Sequence, residues 1–154
     1  FMNNPQPLRW LVQVLLALAL AGYGASGWAQ ERSGTLKNVE GEVTLVREGR
    51  NLPAIPGGAL REGDRIVTGR KSAAAATLKD GTVLSVGPNS SLDLTQYAFE
   101  PVSQNGSMLV NLLQGTVRMV TGIMGKSNPE LIKLTTPTTV VGVRGTDFIV
   151  EVQP

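Results

Sequence analysis

The sequence contains no cysteine and no histidine. Without cysteine there is no disulfide framework, no thiolate metal site and no thiol nucleophile. Without histidine the chain lacks the commonest general base and the commonest zinc ligand of proteins. Most hydrolytic and metal-dependent chemistries are therefore disfavoured, and we expect neither a metal nor an organic cofactor.

Aromatic residues and unbalanced charge are also scarce. Phe, Trp and Tyr make up 5% of the chain, and 14 Lys and Arg stand against 12 Asp and Glu, for a formal net charge of +2. A nucleic-acid binder needs a concentrated basic face, and a platform for sugars or single strands exposes several aromatic rings. We therefore expect no nucleic-acid partner.

The first 29 residues differ in composition from the rest. Arg9 precedes an apolar run at 11–20, and small residues follow, with Gly27 and Ala29 at the −3 and −1 positions of a cleavage site. This order is typical of a secretory signal peptide, and the run is shorter than the ~20 residues that a membrane-spanning helix needs. We predict a signal peptide over 1–29 and a periplasmic or secreted product. The alternative is an uncleaved anchor, in which case the chain also contacts the membrane.

Beyond residue 34 the chain has the pattern of an all-β domain. Gly, Pro, Asn or Asp recur roughly every 8 to 12 residues and separate short β-branched runs. The runs 41–47 and 91–97 alternate strictly between apolar and polar residues, which gives a strand one buried and one solvated face. We predict a single compact all-β domain over residues 30–154, built as a β-sandwich, a short β-roll or a β-helix-like coil.

Further strands are predicted where short apolar runs end at turn residues. These segments are 64–69, 82–87, 108–113, 116–120, 131–134 and 147–152. The alanine-rich segment 71–78 is also predicted as a strand, because four alanines are too short a run to hold a helix without packing. Residues 52–64, which contain two prolines, are predicted as a loop that ends in an exposed turn.

Two turn motifs separate these strands. Asp80 and Gly81 predict a type I′ β-hairpin, a turn that needs positive φ at both central residues. Pro88 has no amide hydrogen to donate and Asn89 favours a turn, so the strand before them is expected to end there.

Carboxylates are the remaining candidates for acid and base chemistry. Asp64, Asp80, Asp93 and Asp147 lie in or beside turns and strands, and two of them at the right separation would suit a glycoside hydrolase. The more common use of such residues is structural: Asp64 and Asp80 in turns and Asp93 on a polar strand face. We therefore predict no catalytic residues and no enzymatic activity.

Five short motifs occur in order along the chain: Gly-Asp with Thr-Gly, Asp-Gly-Thr, Gly-Pro-Asn-Ser, Leu-x-Gly-x-Val-Arg, and Thr-Pro with Arg-Gly-Thr-x-Phe. Together they resemble a FecR-type domain, and the resemblance covers residues 34–152. We interpret the motif residues as structural. They are Gly63, Asp64, Thr68, Gly69, Asp80, Gly81, Gly87, Pro88, Asn89, Gly115, Val117, Arg118, Thr136, Pro137, Gly142, Arg144, Gly145, Thr146 and Phe148.

The resemblance implies a periplasmic all-β domain without a known catalytic role. In the best-understood members, similar domains belong to single-pass regulators that sense an outer-membrane iron transporter and control a sigma factor. Here the stretch before the apolar run is short for a cytoplasmic regulatory unit, so we expect a stand-alone exported module for envelope sensing or signalling. Its expected partner is an envelope protein or a cell-wall glycan. The alternatives are a membrane-anchored regulator of the iron-transport type and a two-carboxylate glycan hydrolase.

Arg144 stands between two glycines in a β-branched stretch. We predict that its guanidinium satisfies backbone carbonyls or a carboxylate such as Asp147 or Asp64. The alternative is an exposed Arg144 that binds an anionic partner. Pro137 is expected to mark a strand start or edge. Gly142 and Gly145 are expected to mark a bend or the close approach of another backbone.

Overall fold

The computed structural model describes residues 31–143 and 146–153. The predicted signal peptide, Arg144 and Gly145 lie outside the described residues. The described part contains twelve strands, one short helix and one 3-10 turn. The strands are β1 (Arg32–Glu40), β2 (Val43–Arg47), β3 (Arg50–Pro53), β4 (Ala59–Arg61), β5 (Arg65–Thr68), β6 (Ala73–Leu78), β7 (Val83–Val86), β8 (Ser91–Glu100), β9 (Asn105–Val120), β10 (Ile132–Thr135), β11 (Val140–Gly142) and β12 (Asp147–Val152). The helix α1 is Ile123–Ser127, and the 3-10 turn is Pro129–Leu131.

Strand β9 is the central strand of the sheet and pairs with four of the other described strands. Strands β8 and β7 pair with its first and second halves along one side, and β10 and β12 do the same along the other. The longest path across the sheet runs β3-β2-β5-β8-β9-β7-β6-β1-β4, and only the β10–β9 pair is parallel. The sheet curls into a half-barrel, so the prediction of an all-β domain is confirmed.

The core fills the concave side of this curled sheet. Strands β5, β6 and β7 alternate strictly between buried and half-buried residues, as a strand with one face on the core must. In β6 the inward residues are Ala74, Ala76 and Leu78. The alanine-rich strand is therefore confirmed, with its small side chains packed between β1 and β7.

Most predicted strands are present, with several differences, and β1 and β3 were not among the predicted strands. The segments 108–113 and 116–120 are one continuous strand, β9, that passes through Gly115. The predicted loop 52–64 is wrong in part, because β4 lies within it and pairs with β1. Strand β1 itself has a bulge between Leu36 and Asn38, which disturbs the alternation that would have marked it in the sequence.

The hairpin between β6 and β7 is not the predicted type I′ turn. Only Gly81 has a positive φ, 86°, whereas a type I′ turn needs a second such residue. Gly81 N–H donates to the Leu78 carbonyl at 3.0 Å, and Leu78 N–H donates to the Thr82 carbonyl at 2.8 Å. The loop is thus a three-residue turn closed by glycine, and it turns the Asp80 side chain inward.

Candidate functional site

A buried ion pair joins the two ends of the curled sheet. Asp64, in the turn between β4 and β5, is 0% exposed and binds Arg47 through both carboxylate oxygens at 2.8 and 2.7 Å. Arg61 N–H also donates to it at 2.8 Å. Arg47, at the end of β2, donates further to the Ala59 carbonyl of β4 at 3.0 Å. We call this group the Asp64 clasp, and hydrogen bonding to Asp64 raises the pKa of Arg47.

A second cluster forms a corner where β9 changes partners. The Thr68 hydroxyl donates to the Gly87 carbonyl at 2.6 Å and accepts from Ser90 N–H at 2.9 Å. Gly87 N–H donates to the Thr116 carbonyl at 2.9 Å, and Thr116 N–H donates to the Ser90 hydroxyl at 3.0 Å. Gly115 has φ +87°, and a Cβ there would overlap Ser90. This corner fixes the turn after β7 against β9.

Several other motif residues lie in turns beside the clasp and the corner. Gly63 N–H donates to the Leu94 carbonyl at 2.7 Å, and Gly69 N–H donates to the Glu42 carbonyl at 2.9 Å. Asn89, which follows Pro88, has φ 51° and donates its N–H to the Gly69 carbonyl at 3.0 Å. Val117 is fully buried in the core. These contacts agree with a structural interpretation of this part of the motif.

Asp80 is buried within a network of hydroxyl groups. Its carboxylate accepts from the Thr82 hydroxyl at 2.7 Å, from Thr82 N–H at 3.2 Å and from the Tyr97 hydroxyl at 3.0 Å. Burial raises the pKa of Tyr97. Gly122 N–H donates in turn to the Thr82 hydroxyl at 3.1 Å, so the network connects the β6–β7 hairpin to the chain before α1.

The remaining two carboxylates each bind a different arginine. Asp93 binds Arg65 across the β5–β8 pair, and Asp147 binds Arg118 across the β9–β12 pair at 2.9 and 2.6 Å. Hydrogen bonding from Arg118 lowers the pKa of Asp147, although both side chains are about half exposed. Asp64 and Asp147, the carboxylates proposed for Arg144, therefore already have arginine partners.

The β10–β11 hairpin carries the Thr-Pro motif in its turn. Thr136 N–H donates to the Thr139 carbonyl at 2.8 Å, and Thr139 N–H donates to the Thr136 hydroxyl at 3.1 Å. Pro137 lies in this exposed turn between β10 and β11, and not at the strand start or edge that was predicted. A Cβ on Gly142 would meet open space, so close approach of another backbone does not account for that glycine.

Strand β12 forms an open edge beside this hairpin. Its one strand partner within 31–143 and 146–153 is β9, and Thr121 N–H donates to the Thr146 carbonyl at 2.8 Å where the pair begins. Phe148, Val150 and Val152 pack partly against the core. A cleft of about 560 Å³ lies between β12 and the Thr136–Thr139 turn.

The sequence model of the FecR protein family matches residues 64–154, more than half of the chain. The chain belongs to the FecR family. The family indicates a role in signalling or regulation. No curated protein and no solved structure gives a significant match.

The FecR match begins at Asp64 of the clasp and contains the corner, the Asp80 network and the open edge. Strands β1 to β4 precede it, yet β2 supplies Arg47 to the clasp. Sequence reasoning missed this arginine, and the available signal was its place at the end of the alternating run 41–47. It also missed Ile149 and Glu151 on the outer row of β12, although DFIVEV contains neither proline nor lysine, two of the residues that protect a strand edge.

Two further properties concern only the part of the chain that the structure describes. It contains no group of three or more Asp and Glu side chains placed to hold a metal ion. It also contains no helix long and apolar enough to cross a membrane.

Proposed function

We propose that this FecR-family chain is a non-enzymatic signalling module of the bacterial cell envelope that acts by binding another protein. The observation that carries the proposal is the open edge of β12 with its adjoining cleft, which lies inside the FecR match. An unpaired strand edge is a ready template for main-chain recognition of another polypeptide. The signalling role of the family makes a protein the expected partner.

The contacts of the carboxylates favour binding over hydrolysis. Asp64, Asp93 and Asp147 are each held by an arginine through both oxygens. A carboxylate bound by a guanidinium through both oxygens has few lone pairs left for a substrate or a catalytic water. Asp80 is engaged by two hydroxyl groups inside the core. These arrangements support a structural use of all four residues.

Export to the periplasm is part of the proposal and rests on the predicted signal peptide. N-terminal sequencing of the protein recovered from the envelope tests it. A start near Gln30 supports an exported module, whereas an intact segment 1–29 supports the membrane-anchored regulator instead.

Protein binding at the open edge is tested by photo-crosslinking in living cells. A photoreactive amino acid is placed at Ile149, which is 67% exposed on β12, and for control at Val102, which is 93% exposed in the β8–β9 turn. We expect Ile149 to give a discrete protein adduct and Val102 to give none. Equal labelling from both positions, or no adduct from Ile149, would contradict the proposal.

A further inference from the structure

We propose that β12 binds an extended segment of the partner as an added β-strand, with alternate apolar side chains of that segment in the cleft and a basic residue opposite Glu151. This inference rests on the proposed function, because it assumes a protein partner. It specifies which strand of this chain makes the contact and which side chains the partner's segment must carry.

The backbone of β12 has one unpaired side among the described residues. In an antiparallel pair, hydrogen-bonded and non-bonded residue pairs alternate. Thr121 N–H donates to the Thr146 carbonyl, so the N–H and C=O groups of Asp147, Ile149 and Glu151 point away from β9. The Thr116 carbonyl, opposite Glu151, accordingly accepts from Gly87 on the far side of β9. Three donors and three acceptors thus face outward.

Strand β12 also lacks the features that protect the other edges of this sheet. Natural edge strands are kept from pairing by proline, by charged side chains (lysine above all), by bulges or by shortness. Strand β3 ends at Pro53, and β4 and β11 are three residues long, the latter ending in Gly142. Strand β12 has six residues in regular register with β9 and contains no proline, glycine or lysine. Its two charged residues are Asp147, which Arg118 binds, and Glu151, whose charge a basic residue of an added strand would match. It is therefore the edge best suited to accept another strand.

The inner row of β12 defines the apolar side of the bound segment. Phe148, Val150 and Val152 are only partly buried although they pack against the core, and the last two line the cleft with Val141 of β11. A strand added beside β12 would place every second side chain over this row and into the cleft. Apolar or β-branched residues at those positions would complete the burial of the row.

The outer row of β12 defines the charge of the bound segment. Asp147 is bound by Arg118, whereas Glu151 has no ion-pair partner among the described residues. Directly opposed residues of opposite charge stabilise a strand pair, and opposed like charges destabilise it. A Lys or Arg across from Glu151, with an apolar residue across from Ile149, is the matching arrangement. A second copy of β12 offers neither Lys nor Arg, which favours a different polypeptide as the occupant.

The test uses the purified chain and a synthetic peptide of alternating valine and threonine, in which a lysine replaces the threonine across from Glu151 and a valine replaces the threonine across from Ile149. We expect the peptide to bind and to slow the amide hydrogen exchange of Asp147, Ile149 and Glu151, whose N–H groups point outward. The amides of Phe148, Val150 and Val152, which face β9, are expected to exchange slowly with or without peptide. A peptide N-methylated on its β12-facing amides should bind at least tenfold more weakly.

A charge exchange tests the position of the basic residue. Replacing the peptide lysine by glutamate should weaken binding to the unchanged protein about tenfold, and Glu151→Lys should reverse that preference. Glu151 is exposed, so the variant is expected to fold normally. Glu130→Lys, an exposed change in the 3-10 turn, is the matched control and should leave the preference unchanged.

Four results would overturn the inference: no binding of the lysine peptide, equal binding of the N-methylated peptide, unchanged exchange at the three outward amides, or a dimer already protected there without peptide. If Ile149 still crosslinks to a partner in cells when one of these results is found, partner binding stands and strand addition fails. If Ile149 gives no adduct, the proposed function fails as well.

Discussion

Two arginine–aspartate pairs whose carboxylates lie within the FecR match have the same bidentate geometry and opposite surroundings. In the Asp64 clasp the carboxylate is fully buried and receives a third hydrogen bond from the backbone. In the Arg118–Asp147 pair, 54% and 46% of the two side chains are exposed. The same kind of ion pair is therefore buried within the fold at the Asp64 clasp and exposed to solvent beside the open edge of β12. From this difference we expect burial, and not the ion pair itself, to decide how much each pair contributes to stability.

Among the changes that test this comparison, removing the carboxylate of the Asp64 clasp should lower stability the most. Asp64→Ala leaves the Arg47 guanidinium partly buried without its partner and removes the acceptor of Arg61 N–H. Breaking a buried pair in this way costs about 3–5 kcal/mol. We expect urea unfolding to show a loss of this size in the free energy of unfolding, or the domain not to fold at all.

Asp93→Ala is the matched control for that experiment. Asp93 also binds an arginine through both oxygens, but its side chain and that of Arg65 are partly exposed. The free energy of unfolding should fall by no more than about 1 kcal/mol, as for other exposed pairs. If both variants lose the same stability, burial is not the deciding factor and the comparison is wrong.

Two glycines give a second test with a smaller expected effect, because one lies in the tightly packed corner and the other at the exposed end of β11. Gly115→Ala adds a Cβ against Ser90 at φ +87°, whereas a Cβ on Gly142 meets nothing within 4 Å. A strained backbone of this kind costs about 1–3 kcal/mol. We expect Gly115→Ala to lower the thermal midpoint clearly and Gly142→Ala to leave it unchanged or slightly raised. Equal effects would show that the corner is not tightly fitted.

The smallest expected effect is the pH dependence of the exposed pair. Because Arg118 lowers the pKa of Asp147, the folded state releases that proton more readily than the unfolded state. The contribution of the pair to stability is therefore present above the unfolded pKa and is lost as pH falls through the lower folded pKa. The difference in thermal midpoint between the unchanged protein and Asp147→Asn should shrink at acidic pH and at high salt. A difference independent of both would contradict an electrostatic origin.

Strand positions were predictable where one face is buried, because burial of one face requires a period of two residues. The alternating runs 41–47 and 91–97 contain β2 and the first part of β8. The bulge in β1 and the short β4 give no such signal, since pairing with each other and with β6 decides their conformation. The expected type I′ turn was wrong for a similar reason, because Asp80 is drawn inward by Thr82 and Tyr97.

The partners of the charged residues were not predictable from local sequence. Arg47 and Asp64 are separated by a hairpin and the short strand β4, and they meet because the sheet curls. Judged by residue type alone, several arginines of the chain could equally well have been the partner of Asp64. Arg144 lies outside the described residues, so the contact predicted for it stays a prediction, although both carboxylates proposed for it bind other arginines, Arg47 and Arg118.

The sequence by itself determined the all-β class, the turn positions at Gly81 and Asn89, and membership of the FecR family. Those properties depend on local alternation, on residues that tolerate special backbone angles, and on motifs in fixed order. Only the tertiary structure decided that Asp64 is buried, that Asp147 is exposed and that β12 has an open edge among residues 31–143 and 146–153. The reason is physical: burial and strand pairing depend on neighbours that come from distant parts of the chain.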